Sequence, residues 1–332
     1  MPNPQRILVI KLSALGDFVQ AFGPFSAIRS AYPDAHITLL TTAPYVDLAV
    51  RSPWFDTVWA DTRPKMWQVA DLASLSQLLR SGCFDRVYDL QTSRRSSSYF
   101  WLMGGPKAVE WSGIAAGCSH PHRNPQRDAM HTLERQAEQL RDAGLSIAPI
   151  RDFWQLDTLW LAEGVPSCAL GMSLESVVLL VPGGAPHRPE KRWPVHRYAE
   201  LAQRACQAGY TPVILGTASE QKENAFIQQQ CPQAVSLVGQ TAIADVARLG
   251  ARVACAVGND TGPMHLLASV GCRSVVLYSF ASRPALCGQR GSAVALLQKA
   301  KIEDIIVDEV IDNLQRLGCI FPILPDLSQS VS

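Results

Sequence analysis

Short apolar, β-branched runs alternate along the chain with segments whose apolar residues recur every three or four positions. That alternation predicts βαβ units built around parallel sheets. In the first half the strand-like runs are RILVI (6–10), HITLL (36–40), DTVWA (56–60), DRVYDL (85–90) and KAVEWSG (107–113). Phe18, Ala21, Phe22, Phe25 and Ile28 share one helical face, and 70–82 and 131–144 read as helices closed by Gly82 and Gly144 as C-caps. Residues 145–175 break the rhythm with Pro and Gly and read as the crossing between domains. The pattern then restarts with strands at 176–182, 211–216, 234–239, 251–258 and 273–279. Helices at 194–209, from Ser219, at 241–250 and from Asp260 separate these strands, and 303–317 reads as a last helix. Strands apolar on both faces belong to sheets covered on both sides. The expected architecture is α/β, with two Rossmann-like domains at 1–160 and 161–310 whose parallel sheets face each other across a cleft. Residues 311–332 are expected to be a helix end and tail.

Composition narrows the class. A chain of 332 residues exceeds the size at which one core usually stops growing, and 47% hydrophobic residues suffice for two. With 30 Lys and Arg against 29 Asp and Glu the net charge is only +1, which argues against a general nucleic-acid binder. No run reaches the ~18 apolar residues that span a bilayer, and the N-terminus has no signal-peptide core, so a soluble intracellular protein is expected. The nine cysteines (83, 118, 168, 206, 231, 255, 272, 287 and 319) contain no CxxC pair and are expected to be free thiols in a reducing compartment. Cys118, His120 and His122, with His131 beyond, match no standard zinc spacing, so that stretch reads as a polar loop beside a cleft.

Chemistry concentrates at the ends of the strands. In KLSALGD the first strand runs into a small-residue turn ending at Gly16 and Asp17. Asp17 has two readings there: a helix N-cap, or a functional carboxylate at the carboxyl end of a parallel strand, where open α/β sheets place ligands. The turn has neither GxGxxG nor a P-loop, so dinucleotide oxidoreductase and NTPase readings lose their usual support. Any phosphate is therefore expected in the second half. Gly183 and Gly184 of VPGGAPHRPEKRWP turn tightly and expose amides, while His187, Arg188, Lys191 and Arg192 add cations suited to a diphosphate. In GNDTGPMH the turn Asp260, Thr261, Gly262 meets a helix start beside His265, with Thr261 and the amides of Gly262 and Met264 expected to face an anion. Glu220 of LGTASE stands where a carboxylate can accept ribose hydroxyls, or serve only as a helix-dipole partner.

The segments RILVIKLSALGDF, VYDLQTSRRSS, VPGGAPHRPEKRWPVHRYAEL, PVILGTASE and VGNDTGPMHLLASVG follow one another, at roughly the same spacing, as in the ADP-heptose:lipopolysaccharide heptosyltransferases of glycosyltransferase family 9. The resemblance runs from about residue 6 to 300. It implies a GT-B fold and a metal-independent, inverting transferase that needs no cofactor and moves a sugar from an ADP-sugar donor to a lipopolysaccharide inner-core or lipid A-type acceptor. The implied setting is cytoplasmic, in peripheral contact with the inner membrane, with no nucleic-acid partner. By matching position, Asp17 resembles the catalytic base and Lys191 the diphosphate cation. Gly183, Gly184, Arg188, Glu220, Asp260, Thr261, Gly262 and His265 fall on the nucleotide-sugar side, and Ser13, Gly16, Arg63 and Arg94 on the acceptor side. The competing readings are a GT-B nucleotide-sugar enzyme of other chemistry, such as an epimerase, and a non-catalytic nucleotide-sugar-binding module.

Overall fold

The computed structural model describes residues 4–153, 156, 158–167, 171–185 and 187–321, so Cys168 and the tail beyond 321 lie outside the described residues. The chain divides into two compact units. Unit 1 runs to Glu163 and includes Ala285–Gly288; unit 2 comprises Gly164–Pro284 and the chain from Gln289 onward.

Unit 1 is built on β1 (Arg6–Ile10), β2 (His36–Thr41), β3 (Thr57–Ala60), β4 (Arg86–Asp89), β5 (Glu110–Gly113) and β6 (His120–Pro121). All pair in parallel in the order β3-β2-β1-β4-β5-β6. Ile7 to Ile10 have no exposed surface, as a central strand covered on both faces requires. The helical face predicted from Phe18 to Ile28 is buried, and the Phe18 ring meets Phe25 edge-on at 5.5 Å between centroids.

Unit 2 holds β7 (Val177–Val181), β8 (Thr211–Ile214), β9 (Val235–Ser236), β10 (Cys255–Asn259), β11 (Ser274–Tyr278) and β12 (Val294–Gln298) in the parallel order β12-β11-β10-β7-β8-β9. Numbered within its own unit, this is the same 3-2-1-4-5-6 order as unit 1. The order reverses between β1 and β4 and again between β7 and β10. Those reversals open crevices at the carboxyl ends of the central strands, where α/β sheets bind ligands.

Several elements differ from expectation. β6 and β12 were not legible: β6 is two residues long inside a Cys/His loop, and β12 is a half-exposed edge strand without clean alternation. Gly144 caps its helix at φ +87°, as expected. Gly82 also ends a helix but stays right-handed (φ −67°), and the left-handed residue is Cys83 (φ +44°). Gly82 is small for another reason: a Cβ there would stand 2.1 Å from the Phe84 ring. The chain also returns to unit 1 late. Gln20 donates to the Cys287 carbonyl at 3.0 Å, Thr132 Oγ1 donates to Leu286 O at 3.3 Å, and His131 Nε2 bonds Gly288 O at 3.1 Å. Four residues so far from the rest of the unit in sequence leave no local pattern. Among the described residues the cysteines are free.

Candidate active site

Asp17 lies in the short helix Leu15–Val19, which starts directly after the β1 turn. It is not the N-cap: Ala14 occupies that position, and Asp17, in the first turn, accepts the Ala14 amide at 3.3 Å. The cap role is therefore real but uses one lone pair of one oxygen. Beside it, Gln91 Oε1 accepts the Leu12 and Ser13 amides (2.8 and 3.2 Å), so the loop after β4 holds the KLSALGD turn in place. Gly16 lies within the same helix. Tyr45, which sequence reasoning missed, stacks on Phe18 at 5.3 Å. Burial first, and then the charge of Asp17, push its hydroxyl pKa up, while Arg63 pulls it down, so Asp17 and Arg63 both act on one ring. Arg63 adopts a left-handed φ of 54°, which a non-glycine residue holds only at a cost of ~1–3 kcal/mol and which clusters at functional sites. Arg94 opens the helix Arg94–Leu102 and is exposed.

Beneath this rim lies a buried charge pair that was also missed. Lys11, following β1, is 4% exposed and donates to Leu90 O at 3.2 Å. Burial lowers its pKa, against the opposing charges of Asp17 and Asp89. Asp89, at the end of β4, has no exposed surface; its Oδ1 accepts the Gln91 and Thr92 amides, the Ser96 hydroxyl lies near the carboxyl, and Oδ2 has no close hydrogen-bond partner among the described residues. Burial pushes the Asp89 carboxyl up to about 6 despite the Thr92, Ser96 and Gln91 hydrogen bonds and the charge of Lys11. A folded value above the ordinary 3.8 means that the folded state binds the proton more tightly. This group's stabilisation is therefore full below about pH 4 and is lost as pH rises through about 6. The expected observation is a titration of the Asp89 carboxyl carbon, followed by 13C NMR, with its midpoint near 6. A midpoint below 4 would show that Lys11 neutralises Asp89 as a full ion pair.

In unit 2 the predicted residues of two loops converge. Lys191 ends the 3-10 turn Pro189–Lys191 after β7, and its Nζ donates to Asp260 Oδ2 at 3.0 Å after β10. Both side chains are largely buried, at 16% and 9% exposed. Asp260 receives three further bonds: Ser282 Oγ to Oδ2 at 2.7 Å, and Tyr278 OH and Gln289 Nε2 to Oδ1 at 3.1 and 3.3 Å. Burial alone would raise the Asp260 carboxyl, but the Ser282 and Lys191 bonds, with the charges of Lys191 and His265, hold it below the ordinary range. His265 is buried on the helix Gly262–Ser269. Lys191 and Ser282 both donate to Oδ2, and the single Tyr278 hydroxyl proton is shared between Oδ1 and Gln289 Oε1, an arrangement that can aim Lys191. Tyr278, Ser282 and Gln289 were not found from sequence. The only signal was a Tyr-Ser pair ending an apolar strand adjacent to GNDTG.

The glycines of the phosphate loop differ in reason from the expectation. Neither has a positive φ; a Cβ on Gly183 would stand 3.1 Å from the Glu220 carboxyl carbon, and one on Gly184 3.2 Å from Arg192 Cγ. They keep the loop close to those side chains. Asn259 fixes the same loop: it accepts Trp193 N and Tyr198 OH and donates to the Pro182 and Gly183 carbonyls. Thr261 is the N-cap of the following helix, but Met264 N bonds Thr261 O at 3.1 Å and Pro263 has no N–H. The Met264 amide is thus engaged, and Thr261 Oγ1 donates to Asn259 O at 3.2 Å, which leaves the Gly262 amide as the free member of the predicted pair among the described residues. Glu220 is 5% exposed and accepts from Thr217 N, Thr217 Oγ1 and Ser219 Oγ, closing its own turn. Burial opposes these bonds, yet together with Arg192 they hold its pKa low. Arg188 is exposed, and Arg192 pairs with Glu223 at 3.1 Å and donates to Gly184 O.

The Cys118–His122 loop does not gather its own ligands. His122 instead meets Glu138 and Asp142, with ligand atoms within 4.8 Å of one another. Hydrogen bonds account for the pair: Arg127 Nε lies 3.5 Å from His122 Nδ1, His122 Nε2 lies 3.3 Å from Glu138 Oε1, and Asn124 donates to the same oxygen at 2.7 Å.

Two six-stranded parallel units in 3-2-1-4-5-6 order, with polar groups gathered at both switch points, place the protein among the α/β enzymes of GT-B fold. The chain belongs to glycosyltransferase family 9 (heptosyltransferase), whose model matches residues 72–303, and it is a glycosyltransferase. It is 27% identical over 288 residues to "Lipopolysaccharide heptosyltransferase 2" of Escherichia coli K12, which covers 82% of each chain. Its fold matches that of a family 9 glycosyltransferase from Veillonella parvula (TM-score 0.77, 20% identity, 94% and 97% of the two chains). It also matches an E. coli heptosyltransferase solved with ADP-2-deoxy-2-fluoro heptose (TM-score 0.73, 16% identity, 94% and 99%). No helix among the described residues is long and apolar enough to cross a membrane.

Proposed function

We propose that the protein is an inverting, metal-independent heptosyltransferase. It transfers heptose from an ADP-sugar to an inner-core lipopolysaccharide acceptor, working peripherally at the cytoplasmic face of the inner membrane. The observation that carries this reading is the Lys191–Asp260 pair at the β7/β10 switch point: a cation aimed by a carboxylate held in a hydrogen-bond network, in a chain similar across most of its length to a lipopolysaccharide heptosyltransferase.

In an inverting transfer the acceptor oxygen bonds to the anomeric carbon as the bond from that carbon to the diphosphate oxygen breaks. The acceptor proton must go to a base, and the departing diphosphate must be met by positive charge. Asp17 takes the proton. Lys191, with the Gly262 amide and Thr261 at a helix start, receives the diphosphate, and Arg188 adds charge at the mouth of the loop. Gly183 and Gly184 let the loop lie close to the donor, with Glu220 and His265 shaping its walls. On the acceptor side Ser13 and Gly16 line the Asp17 turn, while Arg63 and Arg94 meet acidic groups of the core.

The test is mass-spectrometric detection of transfer from a panel of ADP- and UDP-sugars to Kdo-lipid A acceptors, with and without EDTA. Heptosylated product from ADP-heptose, undiminished by EDTA, is expected. Loss of product with EDTA would overturn metal independence. Donor isomerised or hydrolysed without transfer would overturn the transferase reading.

A further inference from the structure

The segment after β3 carries three large, strongly exposed apolar side chains. Met66 is 80% exposed, Trp67 74% and Val69 72%. Isolated exposed apolar residues are ordinary, but three large ones within four positions are not. Nor is this stretch loose chain. Lys65 N donates to Gln68 Oε1 at 2.8 Å and Gln68 N to Lys65 O at 2.9 Å, closing a turn from the inside. Gln68 Nε2 fastens the turn to Asp71 at 2.8 Å, and Arg95 Nη1 holds the Pro64 carbonyl at 2.9 Å. The base is pinned through Asp61, which accepts Arg63 N (2.7 Å) and the Tyr99 hydroxyl (2.6 Å). Hydrogen bonds thus fix the turn on the buried Asp61 and Pro64 at its base, and Met66 and Trp67 stand exposed on it.

A cation lies beside the tip. Lys65 Nζ lies 5.1 Å from the centre of the Trp67 ring, and Arg63 and Arg94 are exposed on the same rim. The exposed acid within 62–71 is Asp71, which is occupied by Gln68. Amphipathic rings flanked by Lys and Arg suit the boundary between anionic headgroups and acyl chains. A water-facing surface has no need of them. The turn stands at the carboxyl ends of the unit 1 strands, the rim that also carries Asp17 and Arg94, and Arg63 acts with Asp17 on Tyr45.

We propose that the Arg63–Val69 turn is a membrane-docking device. Met66 and Trp67 enter the headgroup region of an anionic phospholipid bilayer while Lys65 pairs with its phosphates, bringing the Asp17 rim, with Arg63, to a lipid-linked acceptor. The purpose of the docking rests on the transfer reading above; the docking itself does not.

The test is flotation of the full chain with vesicles of phosphatidylcholine alone or mixed with phosphatidylglycerol, containing neither donor nor acceptor. Wild type is expected to float with the anionic vesicles, more weakly as salt is raised. A Met66→Ser/Trp67→Ser double variant is expected to lose roughly tenfold or more of that binding. Its thermal unfolding should be unchanged because both side chains are exposed. Trp67→Phe is expected to retain most of the binding. The inference is overturned if wild type ignores anionic vesicles, if it binds neutral ones equally, or if the double variant binds like wild type. It is also overturned if wild type self-associates through these residues without floating. A second readout separates the two proposals. On a water-soluble, deacylated acceptor the double variant should transfer at the wild-type rate, and on vesicle-embedded acceptor it should be slower. Vesicle binding as described, with no transfer to either acceptor, would leave the docking surface standing and remove the transferase reading.

Discussion

Asp17→Asn is expected to lower the rate of sugar transfer by about 10²–10⁴-fold, the usual share of a positioned base, while leaving donor binding within experimental error. Asparagine keeps the size of the side chain and can still accept the Ala14 amide, so the helix start at Leu15 survives. The loss should therefore appear in kcat, with little change in unfolding temperature. An Asp17→Ala variant separates the two roles: it removes the base and the bond from the Ala14 amide together, and should add a loss of about 0.5–1.5 kcal/mol in stability to the same kinetic defect. If Asp17→Asn transfers at the wild-type rate, the carboxylate serves only the turn and another group takes the proton.

Lys191→Met should be about as damaging, for a different reason. On the proposed mechanism it removes the cation that meets the departing diphosphate, with an expected fall of about 10²–10³-fold in kcat/KM. It also leaves Asp260 buried with Ser282, Tyr278 and Gln289 but without its charge partner. Breaking a buried ion pair from one side commonly costs ~3–5 kcal/mol, and partial exposure of Lys191 puts the expected loss at the low end. The pH dependence of that loss is specific. Asp260 is held below its ordinary value of 3.8, so its contribution to stability is complete above about pH 4 and disappears as pH falls through the folded value. Because burial raises the Asp260 carboxyl once Lys191 is gone, the stability gap between wild type and Lys191→Met should be widest where Asp260 is ionised in both proteins and narrow as falling pH protonates it, first in the variant. The double variant Lys191→Met/Asp260→Asn should regain part of the stability and none of the activity. Recovered activity would show that Lys191 serves the fold and not the diphosphate.

Legibility from sequence followed the range of the interaction involved. RILVI, HITLL and SVVLLV read as strands because burial on both faces leaves an unbroken apolar run, which needs no knowledge of neighbours. Asp17, Lys191 and Asp260 were visible because each sits a few residues beyond such a run. What each one touches was not visible. Asp260 looked like a sugar ligand, yet its four donors come from Lys191, Tyr278, Ser282 and Gln289, which lie 18 to 69 residues away. Gly183 and Gly184 looked like turn-formers and turned out to be sites of close approach to Glu220 and Arg192. Asp89 was one residue of the strand-like run 85–90 and drew no notice, and only the covering of β4 by the rest of unit 1 removes its water and raises its pKa.

The sequence by itself determined the alternation of strands and helices, the positions of the loops and the residue types available at each strand end. These depend on local periodicity and on which groups tolerate burial. The tertiary structure decided which of those loops meet at a switch point and which carboxylates are already satisfied by protein donors. It also decided that Met66 and Trp67 are held out in water. Each of those outcomes depends on atoms brought together from distant parts of the chain, and solvation and hydrogen bonding respond to that assembled surrounding.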